Sequence, residues 1–176
     1  MKTNITLIGM PGAGKSTVGI ILAKNLAYGF IDTDVLIQIN RQKSLQDILD
    51  ESDYLNLRKI EEQEIFKINI NTHIISTGGS VVYSDKAMSH LCDISTIVFL
   101  KISYSVMQQR VHNLETRGIA KADRQSYQDL FDERQSLYEK YAELSVDCDQ
   151  PDQEDLARII ILELPDAYQG KDHGEF

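Results

Sequence analysis

Ile5-Thr6-Leu7-Ile8-Gly9-Met10-Pro11-Gly12-Ala13-Gly14-Lys15-Ser16-Thr17 decides the fold of this chain. Its first four residues read as a buried strand, its glycine-rich middle as a turn, and Lys15 onward as the first turn of a helix. Gly9, Gly14, Lys15 and Ser16 match the spacing G-x-x-x-x-G-K-[ST] of a phosphate-binding loop. Glycines let the backbone turn with its N–H groups facing inward, and those donors sit at the positive end of a helix. Gly12, Ala13, Gly14, Lys15, Ser16 and Thr17 are therefore expected to hold nucleotide phosphates. Lys15 would reach the β- and γ-phosphates, and the Ser16 hydroxyl would ligate Mg²⁺. A glycine turn with no ligand is the competing reading. It is disfavoured because the motif follows an apolar strand and opens a helix.

Working outward, strands and helices alternate to the end of the chain. The stretches around Phe30–Asp34, His73–Thr77, Ser95–Lys101 and Leu144–Asp147 read as further strands. Helices are expected over Lys15 to about Ala27, Val35–Arg41, Leu45–Glu51, a run from Asp53 to about Asn69, Ser84–Cys92, a run capped by Ser103, and Gln125–Ala142. A last helix is expected to open at Pro151, with proline in its first turn. Such alternation predicts an α/β fold with a five-stranded parallel sheet and helices on both faces. Residues 1–164 read as one domain. Residues 112–124 lose periodicity and are expected to form a mobile lid, and residues 165–176 a disordered tail.

The chain has 176 residues, 42% of them apolar and 26% charged, and a formal net charge of −9. An acidic chain repels phosphate backbones, so nucleic acid is not expected as a partner. No run approaches the roughly 18 apolar residues of a membrane span, and no signal peptide is read before the first strand. Cys92 and Cys148 stand far apart in no metal-like spacing, which suits a reducing compartment. A cytoplasmic monomer acting on small molecules is the expectation.

Several polar groups stand out against this background. Asp32 and Asp34 close the second expected strand, where positions i and i+2 point the same way. Ligands of open parallel sheets bind beyond the carboxyl ends of strands, so both acids should face the phosphate loop. One could serve a Mg²⁺-bound water and the other an acceptor hydroxyl. Arg58 and Glu61 lie three apart on one helix face. Alone, they read either as a surface ion pair or as an arginine preorganised by glutamate to grip an anion. Gly78-Gly79-Ser80 follows a strand and reads equally as close approach to a ligand or as a plain turn. Arg110, Arg117, Arg124 and Arg134 fall in or around the expected lid, with Arg124 taken as solvated charge and Arg117 as a closing group.

These motifs, in this order and spacing, resemble the shikimate kinase family over roughly residues 3–162. The resemblance implies a single-domain P-loop kinase fold, with ATP as co-substrate and Mg²⁺ as cofactor. It implies that Asp32 serves Mg²⁺ with Ser16, and that Asp34 holds the acceptor hydroxyl and acts in catalysis with Lys15 and Arg117. Arg58, and Arg134 in Arg134-Gln135-Ser136-Leu137-Tyr138, match the family's carboxylate-binding arginines. Arg110 and the Asp147–Pro151 segment match its adenine site, which brings in Pro151. Two segments depart from the pattern. The substrate glycine triplet is Gly78-Gly79-Ser80, and the lid's usual R-P-L-L is Arg117-Gly118-Ile119-Ala120. Serine is expected to add a hydroxyl near the acceptor, and Gly118 in place of proline to loosen the lid.

The activity expected is transfer of the γ-phosphoryl of ATP to a hydroxyl of a small carboxylated metabolite, with shikimate to shikimate 3-phosphate as the leading reaction. A paralogue acting on another hydroxy acid and an ATP-binding regulatory module without turnover are the alternatives.

Overall fold

The computed structural model describes residues 2–112, 118–165 and 168. The expected tail over 165–176 falls almost wholly outside this range, as do lid residues 113–117. Five strands form one sheet: β1 (Asn4–Ile8), β2 (Gly29–Asp32), β3 (His73–Ser76), β4 (Ser95–Lys101) and β5 (Leu144–Asp147). All pairings are parallel, in the order β2-β3-β1-β4-β5. β1 is central and buried along its whole length, as a strand covered on both faces must be. Its two polar residues are satisfied internally. Asn4 Nδ2 donates to the carbonyls of Ile70 (2.7 Å) and Ile94 (3.1 Å), and Thr6 shares a 2.7 Å hydrogen bond with Ser95.

The helices are α1 (Lys15–Leu26), α2 (Thr33–Arg41), α3 (Leu45–Glu51), α4 (Tyr54–Phe66), α5 (Asp85–Ile94), α6 (Tyr104–Arg110), α7 (Tyr127–Tyr141) and α8 (Gln153–Glu163). A 3₁₀ turn, Val81–Tyr83, follows the glycine segment and was not anticipated. Two expectations are corrected. Asp34 is not on a strand. Asp32 ends β2 and caps α2, accepting from the Asp34 and Val35 amides, so Asp34 sits in the first helical turn. Pro151 is not the first residue of the last helix, because Asp152 caps it by accepting from Asp155 N–H. A carboxylate cap satisfies an amide that proline merely lacks.

α1 and α8 pack together on one side of the sheet. Close approach of α1 to the sheet depends on Gly19, whose missing Cβ would lie 2.7 Å from the Phe30 ring and 3.3 Å from Leu7. The main core runs through β1, β3 and β4 into these helices and α5. A second, smaller cluster joins Ile37, Ile48, Leu57 and Ile60 from α2, α3 and α4. Ala120, inside the expected lid, is buried in that cluster, so this part of the segment is packed against α2–α4 and not loose. The small cluster thus stands beside the carboxyl ends of the strands and carries the return of the lid segment.

Gly19→Val should overpack the α1–sheet contact and cost about 1–3 kcal/mol. At about 2–4 °C per kcal/mol for a chain of this size, a thermal melt should fall by several degrees. An unchanged melting temperature would show that Phe30 yields freely.

Candidate active site

The phosphate loop lies at the carboxyl end of β1. Gly9 has φ +145°, and a Cβ there would sit 2.6 Å from the Leu100 carbonyl oxygen. Gly14, at φ +91°, is the N-cap of α1 and offers no side-chain cap. Every other α-helix among the described residues begins on an Asp or Ser whose side chain accepts from its first turn. α1 alone keeps its leading N–H groups clear of a side-chain cap, which is the requirement for binding phosphate oxygens. Ala13 departs from the simplest picture, since its N–H donates to the Met10 carbonyl at 3.1 Å and its side chain is buried. Lys15 Nζ donates to the carbonyls of Gly9 (2.8 Å) and Met10 (3.1 Å). Arg110 ties the loop to the segment after β5, bonding Cys148 O at 2.8 Å and Gly12 O at 3.4 Å.

A cleft of about 430 Å³ opens from this loop. Lys15, Ser16, Thr17, Asp32, Asp34, Gly79, Ser80, Arg110 and Arg134 all line it. Glu61, Leu45, Gln153 and the Gly118–Ala120 segment line it as well. None of these was singled out as a binding residue from sequence, because the lining arises from distant elements folding together. Ala13, Arg58, Gly78 and Pro151 are not on the cleft wall, and Arg117 lies outside the described residues. Arg124 is exposed, as expected of a solvated charge.

Ser16 Oγ donates to Asp32 Oδ2 at 2.5 Å. The pair offers two hard oxygens beside the phosphate loop, a donor set suited to Mg²⁺, which takes its other ligands from phosphate and water.

Beyond the acids, the glycine segment shapes the cleft wall through Gly79 and Ser80. A Cβ on Gly78 would lie 2.3 Å from Glu61 Oε1 and 2.7 Å from Asp34 Oδ1. One on Gly79 would lie 2.9 Å from Arg134 Nη1. Glycine is needed there for space, since neither residue has positive φ. Ser80 does not point its hydroxyl at an acceptor as expected; it is buried and donates to Glu61 Oε2. Nor does Glu61 hold Arg58. The Arg58 guanidinium lies over the Tyr83 ring at 3.5 Å and the Tyr54 ring at 5.0 Å. Arg134 is 1% exposed, and its Nη2 donates to Ala120 O at 2.8 Å. Gly118 has φ +69°, which proline cannot adopt, and its missing Cβ would lie 2.5 Å from Leu45 Cβ. Its N–H donates to Gln46 Oε1 at 3.0 Å. Gly118 is a fitted contact and not the loosened joint that the sequence suggested.

Residues 11–165 match the sequence profile of the family described as Shikimate kinase. The chain belongs to the shikimate kinase family. Relatives agree over most of its length. A shikimate kinase of Rippkaea orientalis is 37% identical over 84% of this chain and 79% of its own. One of Mycobacterium avium is 34% identical over 94% and 95%. Among solved structures, shikimate kinase from Acinetobacter baumannii in complex with shikimate superposes with a TM-score of 0.86 at 26% identity, covering 97% of each chain. Membership makes the protein an ATP-dependent kinase with the single-domain P-loop fold of that family.

Glu61 is a strongly perturbed acid of the cleft. Burial first, and the nearby Asp34 carboxylate second, push it from its ordinary 4.5 up to about 7, against the opposing pull of Ser80, Arg134 and Arg58. The folded state therefore binds an extra proton between about pH 4.5 and 7. Its contribution to stability is complete below that interval and is lost as pH rises through it. Thermal melts from pH 5 to 8 should show a decline of about 1–3 kcal/mol that Glu61→Gln largely removes. Equal slopes for both proteins would mean that Glu61 ionises normally.

Proposed function

We propose that the enzyme transfers the γ-phosphoryl group of ATP to a hydroxyl of shikimate, giving shikimate 3-phosphate. The observation that carries this reading is the pair of arginines, Arg58 and Arg134, gathered around Tyr83, with Arg134 itself on the wall of the cleft. Two guanidiniums beside a small cleft suit a small carboxylate. The kinase of Acinetobacter baumannii, solved with shikimate bound, has the same fold over nearly its whole length, which supports the choice of acceptor.

In this reading Gly12, Ala13, Gly14, Lys15, Ser16 and Thr17 cradle the phosphates of ATP, with Arg110 and Pro151 at the adenine end. Ser16 and Asp32 hold Mg²⁺, whose charge, once bound, aligns and neutralises the phosphate oxygens. Asp34 orients the acceptor hydroxyl and takes its proton. Its place in the first turn of α2, next to Gly78 and Glu61, supports that role. Lys15 offsets charge on the transferring group, and Arg117 is assigned the same duty from its place in the motif. Gly78 and Gly79 leave room for the acceptor ring, while Ser80 acts through Glu61. The net charge of −9 supports a small-molecule acceptor over a nucleic acid, and among the described residues no helix is long and apolar enough to cross a membrane.

ADP release measured over a panel of hydroxy acids tests the acceptor directly. Shikimate should be turned over with the highest kcat/KM, and preference for another acid would overturn the assignment. Arg58→Ala should raise KM for shikimate about 10–100-fold, the worth of a charge-assisted hydrogen bond, with KM for ATP changed less than about twofold. Asp34→Asn should lower kcat by about 10²–10⁴ while ATP still binds, as read by calorimetry.

A further inference from the structure

The side chain expected to orient Arg58 is occupied elsewhere. Glu61 accepts from Ser80, and Arg58 is the weakest of the groups that act on it. What meets Arg58 instead is aromatic. Its guanidinium lies 3.5 Å from the Tyr83 ring centroid, with Tyr54 on its other flank at 5.0 Å. The same Tyr83 ring lies 5.5 Å from the Arg134 guanidinium. Nε of both arginines is buried with no hydrogen-bond partner, so no side-chain acceptor fixes either group through that atom. The Tyr83 hydroxyl is buried beside Arg134 and Glu133 and meets neither in a hydrogen bond of good geometry. The ring is therefore the feature that both arginines share.

We propose that Tyr83 is a positioning residue for the acceptor, its ring forming the platform on which Arg58 and Arg134 are set to receive a carboxylate. The inference rests on the reading that these two arginines bind the acceptor. The physical advantage of a ring over a carboxylate is clear. Two guanidiniums brought together in a half-buried place repel each other. A carboxylate between them would cancel part of the positive charge that an anionic substrate needs. An aromatic face attracts each cation through its quadrupole and carries no net charge. It flanks both guanidiniums and adds no negative charge of its own. The position of the ring follows from the chain. The 3₁₀ turn Val81–Tyr83 starts directly after Gly78-Gly79-Ser80, and Tyr83 N–H donates to Ser80 O at 3.1 Å. Ser80, which bonds Glu61, and Tyr83, which meets Arg58, thus lie on one continuous segment.

The test compares full-length wild type, Tyr83→Phe and Tyr83→Leu. Each is assayed with shikimate and with its methyl ester, which lacks the negative charge, at saturating ATP. Wild type should prefer the acid strongly. Tyr83→Leu should raise KM for shikimate about tenfold and lower the acid-over-ester ratio of kcat/KM by a similar factor, with kcat and KM for ATP within about threefold. Tyr83→Phe should restore the wild-type ratio. The ratio is taken within one preparation, so it does not depend on how much of a variant is folded. An unchanged ratio in Tyr83→Leu overturns the proposal, as does a Phe variant as impaired as Leu, or equal losses toward ATP and shikimate. If wild type turns over neither compound, the acceptor assignment itself falls, and this inference with it. If wild type turns both over without preferring the acid, the carboxylate-binding role of the arginines falls instead.

Discussion

The charge cluster beside the cleft of this kinase depends on two missing methyl groups. Gly78 and Gly79 leave the space into which Glu61, Asp34 and Arg134 converge, each within 3 Å of where a side chain would begin. Charges packed this closely are costly to bury unless they compensate one another. Here the compensation is distributed. Ser80 and the arginines oppose the effect of burial on Glu61, and the Ala120 carbonyl takes one Arg134 donor. The Tyr138 hydroxyl, stacked behind on Phe99, closes the Gly79 carbonyl at 2.6 Å. A side chain larger than hydrogen at either glycine would force one of these charges out of place.

The donor end obeys a different constraint. α1 must begin without a side-chain cap so that its N–H groups remain for phosphate, and Gly14 at positive φ meets that need. Elsewhere the chain caps its helices with Asp or Ser. One of those caps has a second task, since Asp32 both starts α2 and accepts from Ser16. A single carboxylate thereby sets the spacing between the phosphate loop and the helix that carries Asp34. The two ends are further joined by Arg134, which lines the cleft while holding the return of the lid segment at Ala120.

Much of this was legible in the residues alone. β1, β4 and β5, the caps at Ser44, Asp53 and Ser103, and the phosphate loop follow from local patterns whose physics is local: alternation, capping and glycine turns. The acids were placed at the cleft for a reason that did not hold, because the helix after β2 begins two residues earlier than the strand pattern implied. The partnership of Arg58 with Glu61 was read from helical spacing, yet spacing only brings two side chains onto one face. Ser80 and Tyr83, from another element, compete for them and win. At Gly118 a lost proline suggests freedom. Its fit against Leu45 comes from α3, more than seventy residues earlier.

The sequence by itself determined the parallel α/β sheet, the nucleotide cradle and the family, since each rests on residues that act through their neighbours in the chain. Only the tertiary structure decided which charges meet around Gly78 and Gly79, why both must be glycine, and that Ser80 bonds Glu61 while Tyr83 meets Arg58. Those are contacts between β3, α2, α4 and α7 and the turns beside them. Their partners are chosen by competition in three dimensions, and that competition leaves no local pattern to read.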